Sequence, residues 1–401
     1  MRVLHVLQMS LPAQTGYSIR TSYIMKGQAK LGFESFGVTS ARHPKPEGEI
    51  EVVDGVSYRR TPELTGPQPP LVREARLMNA LYHSTSKAIR EWRPDVVHAH
   101  SPMLVGLPAM LAAKRHRVPF VYEVRDLWEN ASVVHGKFAE GSLQYRLAKG
   151  GDTRVFQNAD AVVTICEAMR DHIAPRVGAR TDLKVIANGV TAGNFTPQAP
   201  SSDLLARYQL EGKRLFGFLG SFEPWEGLPD LIASVPKVVA AIPDAHLIVV
   251  GGGHMDQPIR ELVKQRKLEA HVTFTGRVPH SEVQQLLALP ELLVYPRVSS
   301  LVTELTTPIK PLEAMAMARP VLVSDVKALL ELAKPGETGM AFRSGDVDDL
   351  ARSVVNLLQD AELRERLGRN ARAYVERERD WDTLIAGYED VYRAARARAA
   401  A

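Results

Sequence analysis

Residues 292–316 read LLVYPRVSSLVTELTTPIKPLEAMA, with a cation and a carboxylate near the start of an expected helix. Leu292 to Tyr295 is a short apolar run of buried-strand length. A polar loop follows, and TPIKPLEAMA opens a helix, with Thr307 as its N-cap and Pro308 or Pro311 in the first turn. The mouth of such a helix offers N–H groups and the positive end of its dipole, which suits a phosphate. Lys310 adds a positive charge at that mouth, beside Thr306 and Thr307. Glu313, in the first turn, can accept hydrogen bonds from sugar hydroxyls. Together these groups fit a nucleotide diphosphate and its ribose.

Other polar and glycine-rich clusters also follow strand-like runs, where open α/β sheets bind their ligands. Gly16, in TGYS, lacks a Cβ and lets a diphosphate approach the chain closely; a plain turn is the alternative. His98 and His100 flank Ala99, and one ring is expected on each side of the strand, with His100 the candidate for the cleft. Arg125 in YEVRDLWE is no general base, since its pKa exceeds about 12. It either holds a phosphate or an acidic sugar, or pairs with Asp126 or Glu129. Arg297 follows the run at 292–295 and is a second cation for a diphosphate. VGGGH at 250–254 is not a dinucleotide fingerprint, because Asp256 stands where the last glycine belongs.

The elements that must position these residues alternate along the chain. Apolar, β-branched runs lie at 3–7, 36–39, 96–98, 120–124 and 161–165 in the first half. Others lie at 184–186, 215–219, 246–250, 272–274, 292–295 and 321–323 in the second half, and helix-period segments separate them. This pattern predicts parallel sheets covered on both faces, in two doubly wound domains. The boundary is expected near 176–190, giving domains 1–180 and 181–380, with the amphipathic segment 381–401 packing back on the first. The 401 residues suffice for two domains, and a net charge of +4 does not call for nucleic acid. The single cysteine, Cys166, excludes an internal disulfide framework and reads as a buried thiol. No apolar run reaches the roughly 18 residues of a spanning helix, so a cytoplasmic location is expected. Residues 71–93 carry Arg73, Arg76, Lys87, Arg90 and Arg93 among Leu77, Leu81, Ile89 and Trp92. They form either a face for the inner leaflet of the plasma membrane or an ordinary solvated helix.

TPIKPLEAMA, SIRTSY and YEVRDLWE resemble the retaining glycosyltransferases of family 4, and most of all a bacterial subgroup that builds exopolysaccharide and other surface glycans, some alongside exosortase systems. The resemblance implies the GT-B fold, two Rossmann-like domains facing across a cleft. The first would bind the acceptor and the second the nucleotide sugar. Glu313 matches the family's ribose-binding glutamate. Its usual partner seven residues earlier falls on Leu305, with Glu304 one position away. Arg125 stands where many members have a histidine. Ser221 and Glu226, in GSFEPWEG, stand where much of the family has an arginine and a lysine for the diphosphate. Arg277 and Val278 match a turn whose main chain holds the base. The implied reaction moves a hexose, with retention, from a nucleotide diphosphate sugar to a hydroxyl of a glycan or lipid-linked acceptor. Lys310, Arg297, Arg125 and His100 are the catalytic candidates, and Gly16, Ser221, Arg277, Val278, Thr306, Thr307 and Glu313 the donor-binding ones. No metal or other cofactor is implied. Alternatives are a phosphorylase on the same fold and an inactive partner or scaffold subunit; a nicotinamide oxidoreductase is disfavoured.

Overall fold

The computed structural model describes every residue except Gln14, Lys45, His135 and Ala401, and also leaves aside the side chains of Pro70 and His280. The chain divides into two units, Met1–Ala187 with Trp381–Ala401, and Asn188–Asp380.

The first unit holds eight strands: β1 (Arg2–Leu7), β2 (Glu34–Thr39), β3 (Ile50–Val53), β4 (Val56–Arg60), β5 (Val96–His100), β6 (Phe120–Val124), β7 (Ala161–Thr164) and β8 (Asp182–Val185). Their order is β3-β4-β2-β1-β5-β6-β7-β8. All neighbours are parallel except β3 and β4. Every residue of β5, β6 and β7 is buried, as expected of parallel strands covered on both faces. The strand order reverses direction at β1 and β5, which makes the carboxyl ends of those strands the ligand crevice of this sheet. The last helix, Trp381–Ala399, buries Trp381, Ile385, Tyr388, Val391, Tyr392 and Ala395 against Val3, Ile24, Val96, Val121, Val163 and Ile186. Cys166 is buried.

The second unit holds β9 (Arg214–Ser221), β10 (Ala245–Gly252), β11 (Val272–Gly276), β12 (Leu292–Tyr295), β13 (Val321–Ser324) and β14 (Met340–Phe342), in the order β11-β10-β9-β12-β13-β14, all parallel. The order reverses between β9 and β12, so the second crevice lies beyond Ser221 and Tyr295.

Three expectations change. The run at 184–186 belongs to the first unit rather than the second half, because β8 pairs in parallel with β7, and the second unit starts at Asn188 rather than at 181. The β3–β4 hairpin escaped the reading, although its Asp54–Gly55 turn has φ of 52° and 80°, the left-handed pair that a tight hairpin requires. The basic stretch forms the helix Pro70–Trp92, but Leu77, Leu81 and Ile89 are buried and the Trp92 ring stacks on Phe36 at 4.7 Å. Only its first turn, with Leu71 and Val72, exposes large apolar side chains.

Candidate functional site

At the second crevice, Tyr295 ends β12 with its hydroxyl donating to the Lys310 carbonyl at 3.1 Å. Burial, then the nearby Glu313 and Glu226, hold that phenol well above its usual range, so both carboxylates surround it. Arg297, 9% exposed, grips Glu226 through Nε and Nη2 at 3.2 and 2.7 Å and donates from Nη1 to the Thr306 carbonyl at 3.0 Å. Lys310 Nζ lies 2.9 Å from Glu313 Oε2, one helical turn away. One site thus gathers Arg297, Thr306, Lys310 and Glu313, with Glu226 among them.

The helix here is Lys310–Ala316, and its N-cap is Ile309 rather than Thr307. Asn188 Nδ2 instead donates to the Thr307 carbonyl and hydroxyl at 2.7 and 3.1 Å. Pro308 and Pro311 have no N–H, and the N–H groups of Leu312 and Glu313 both go to the Ile309 carbonyl. The mouth therefore offers those of Ile309 and Lys310, fewer than an ordinary helix start. Glu304 is no spare carboxylate for the missing partner of Glu313. It accepts from Ser299 Oγ at 2.7 Å and from the Lys327 N–H at 2.9 Å.

Ser221 is exposed at the end of β9. Gly227, which starts the next helix, has φ 72°, and a Cβ there would lie 1.8 Å from the Pro296 carbonyl oxygen, so only glycine lets the loop after β9 pack on the end of β12. Gly251 has the same reason, with φ 134° and the Gly220 oxygen 1.9 Å from a Cβ. The glycines of VGGGH are thus explained by strand packing. Arg277 is exposed and Val278 half-buried, just past β11.

In the first unit, His98 and His100 lie on the same face of β5, since side chains two apart share a face, and their rings sit 4.3 Å apart. Both are buried, as is His5 of β1. Arg125 is 5% exposed and its donors are engaged. Nε donates to Glu123 at 2.7 Å, Nη1 to the Tyr17 carbonyl and Thr21 Oγ1 at 2.8 and 2.9 Å, and Nη2 to His100 Nδ1 at 2.7 Å. A guanidinium only donates, so His100 carries its proton on Nε2 and passes a hydrogen bond to His5 Nδ1 at 3.0 Å. His5 Nε2 then donates to Gln28 Oε1, Gln28 Nε2 to the Tyr392 hydroxyl, and that hydroxyl to His98 Nδ1, at 2.9, 2.7 and 2.9 Å. The proton left on His98 Nε2 faces Glu123 at 3.5 Å.

Glu123 is the hub, taking Arg20 at 3.0 Å, Arg125 and the Tyr388 hydroxyl. Burial pushes its carboxyl up, but Arg20 and Arg125 overcome this and hold it well below the usual range. Burial, with His98 next, lowers His5 to about 3, and burial, then Arg125, takes His100 well below its ordinary value. The three imidazoles are close enough to suggest a metal centre. Their nitrogens are instead spent on this neutral relay, between two guanidinium groups that repel a cation.

Two candidates are therefore displaced. His100 and Arg125 are buried beneath the first crevice with their polar atoms on protein partners, and Arg125 pairs with Glu123 rather than with Asp126 or Glu129. Glu129 takes Arg176 at 3.1 Å. What reaches the rim is Asp126, whose Oδ1 accepts from the Tyr17 hydroxyl and, at 3.2 Å, from Ser101 Oγ. The sequence signal for the hub was available, since a carboxylate inside the apolar run FVYEV needs a buried cation. Gly16 is exposed at the start of the helix Gly16–Lys30, and a Cβ there would meet nothing within 4 Å.

A model described as "Glycosyl transferase 4-like domain" matches residues 15–189, and one described as "Glycosyl transferases group 1" matches residues 204–374. Glycogen synthase of Mycobacterium tuberculosis is 29% identical over 77% of this chain and 70% of its own length. A GDP-mannose-dependent alpha-(1-6)-phosphatidylinositol monomannoside mannosyltransferase from the same organism is 28% identical over 60% of this chain and 63% of its own. Among solved structures, sucrose-phosphate synthase from Thermosynechococcus elongatus superposes with a TM-score of 0.78 at 20% identity, over 98% of each chain. Anabaena Alr3699/HepE in complex with UDP gives 0.75 at 19% identity, over 98% of this chain and 100% of that one.

Proposed function

From the premise that this chain belongs to the GT-B glycosyltransferases of family 4 type, we propose that it moves a hexose, with retention, from a nucleotide diphosphate sugar to a hydroxyl of a glycan or lipid-linked acceptor, in surface polysaccharide or glycoconjugate synthesis. The observation that carries the reading is the convergence of Arg297, Lys310 and Glu313 at the point where the second sheet reverses its strand order.

Magnitudes separate the two cations. The Lys310–Glu313 pair joins a lysine with a 38% exposed side chain to a 9% exposed carboxylate one turn away through a single bond, so its cation is open to solvent. A diphosphate displaces it readily, taking Lys310 and releasing Glu313 to the ribose hydroxyls. The Arg297–Glu226 pair is nearly buried and doubly bonded, and breaking such a pair costs about 3–5 kcal/mol. Arg297 therefore stays on Glu226 and shapes the wall, while Lys310 meets the charge that develops on the leaving diphosphate. That phosphate can itself take the acceptor proton, so the mechanism needs neither a side-chain base nor a metal. Ser221 and the main chain at Arg277 and Val278 complete the second unit's donor contacts. A peripheral contact with an anionic leaflet rests on the exposed first turn of the helix Pro70–Trp92, where Leu71 and Val72 adjoin Arg73 and Arg76.

A second reading, donor binding without turnover, has its own support, because Glu226 and Glu313 neutralise the two cations. Thermal unfolding of the purified chain with UDP- and GDP-hexoses, followed by nucleotide release from any that stabilise it, decides between them. Stabilisation with release supports transfer. Stabilisation without release supports the binding subunit, and no stabilisation removes both.

A further inference from the structure

The first crevice contains a polar group with no place in the donor site. Tyr17 lies in the first turn of the helix that follows β1, Ser101 just past β5 and Asp126 just past β6, so the strand reversal brings the three together. Asp126 Oδ1 accepts from the Tyr17 hydroxyl and from Ser101 Oγ. Ser101 Oγ in turn accepts the Arg125 main-chain N–H at 3.1 Å. The Arg125 guanidinium lies 5.5 Å from the centre of the Tyr17 ring and donates to the Tyr17 carbonyl. Tyr17 and Ser101 thus fix the carboxylate through Oδ1, and Arg125 holds both of them in place. Asp126 is half-buried, and its Oδ2 has no partner among the described residues and is not sealed from solvent. Gly16, next to Tyr17, leaves open space in front of the helix start.

We propose that Asp126 is the acceptor-binding residue of the first unit, its Oδ2 taking a hydrogen bond from a neutral sugar hydroxyl. A carboxylate repels a phosphate. A cation is poorly served by a single carboxylate standing on a guanidinium. A hydroxyl donor is what remains, and one fixed oxygen that still reaches solvent suits one. Burial raises the Asp126 pKa, which makes the carboxylate a stronger hydrogen-bond acceptor where it is ionised. The assignment deepens the transferase reading and rests on it, because it supplies the acceptor side of that reaction.

The test is saturation-transfer NMR of the full chain with glucose, mannose, galactose and their methyl α-glycosides, with UDP or GDP present. Asp126→Asn keeps an oxygen for Tyr17 and Ser101 but turns the outward atom from acceptor into donor. The expected result is that wild type binds at least one of these sugars and that Asp126→Asn binds it at least tenfold more weakly, with an unchanged melting temperature. Tyr17→Phe, which leaves Oδ2 in place but loosens it, should fall between the two. Equal binding by wild type and Asp126→Asn overturns the proposal, and so does a wild type that binds none of the sugars. Donor stabilisation by UDP- or GDP-hexoses, measured on the same samples, reports on the transferase reading separately. If Asp126→Asn unfolds, the order of affinities between wild type and Tyr17→Phe decides, and equal affinity there also overturns the assignment.

Discussion

Lys310 and Arg297 are both cations beside a carboxylate, yet their surroundings give them different work. Lys310 is partly exposed and held by one neighbour, so a ligand can recruit it. Arg297 is nearly buried and holds Glu226 with two bonds while bracing the Thr306 carbonyl. Arg297→Ala should therefore act first on stability, leaving Glu226 buried without its cation and costing about 3–5 kcal/mol by urea titration. A fully stable variant would show that the pair is dispensable. Glu313→Gln should weaken donor binding by about 1–2 kcal/mol, because a charge-assisted hydrogen bond to the ribose becomes a neutral one. Calorimetry with the stabilising nucleotide sugar measures it, and unchanged affinity would take Glu313 out of the site. The types and spacing of Lys310 and Glu313 were legible in TPIKPLEAMA. That each neutralises the other is a consequence of one-turn spacing on a helix, and it became apparent only once the cap was placed at Ile309.

At the scale of elements, the last helix is bound to the floor of the first crevice through polar contacts as well as apolar ones. Tyr388 donates to Glu123, and Tyr392 connects Gln28 to His98. Tyr388→Phe should cost about 1.5–3 kcal/mol, the range for a hydrogen bond to a charged group. Glu123→Gln should cost more, about 3–5 kcal/mol, since Arg20 and Arg125 would share a neutral partner in the interior. Chemical denaturation of the two variants checks the order, and a Glu123→Gln protein as stable as wild type would contradict the hub. Apart from the edge hairpin and the three-residue β14, the strands of both sheets were legible because buried parallel strands are continuous apolar runs. The edge hairpin was not, because β3 alternates between exposed and half-buried residues and carries no such run. The hub's carboxylate stood out inside FVYEV, but its partners were illegible, since its members at 20, 28, 123, 388 and 392 meet only through the fold, and local periodicity cannot name a partner so far along the chain.

For the molecule as a whole, the buried imidazoles set the response to acid. His5, His98 and His100 have folded pKa values lowered chiefly by burial, among Arg20, Arg125, Glu123, Gln28 and Tyr392. Below about 6.5 the unfolded chain binds protons that the folded chain refuses, so stability falls as pH falls from there toward the folded values. Each such histidine contributes about 1.4 kcal/mol per pH unit in that window. His43 and His246, each lowered to about 4, act in the same direction. Asp126 and Asp152, raised by burial, act in the opposite one. The depressed Glu123 supports the fold above its unfolded value of about 4.5, and that support is lost only below it. Urea titrations at pH 7.5, 6.5 and 5.5 should show a net loss of at least about 2 kcal/mol between the last two, and a flat profile would mean the imidazoles are not held neutral. The two-unit α/β architecture was readable from the alternation of runs, whereas the division at Ala187 depended on β8 pairing with β7, which no local pattern fixes. The central claim is that Lys310 stabilises the diphosphate leaving from a nucleotide sugar. Steady-state nucleotide release from the stabilising UDP- or GDP-hexose, by wild type and Lys310→Ala prepared side by side, tests it most directly. The variant should show a kcat lower by about 10²-fold, with a smaller change in KM and an unchanged melting temperature. Equal kcat for the two proteins would contradict it.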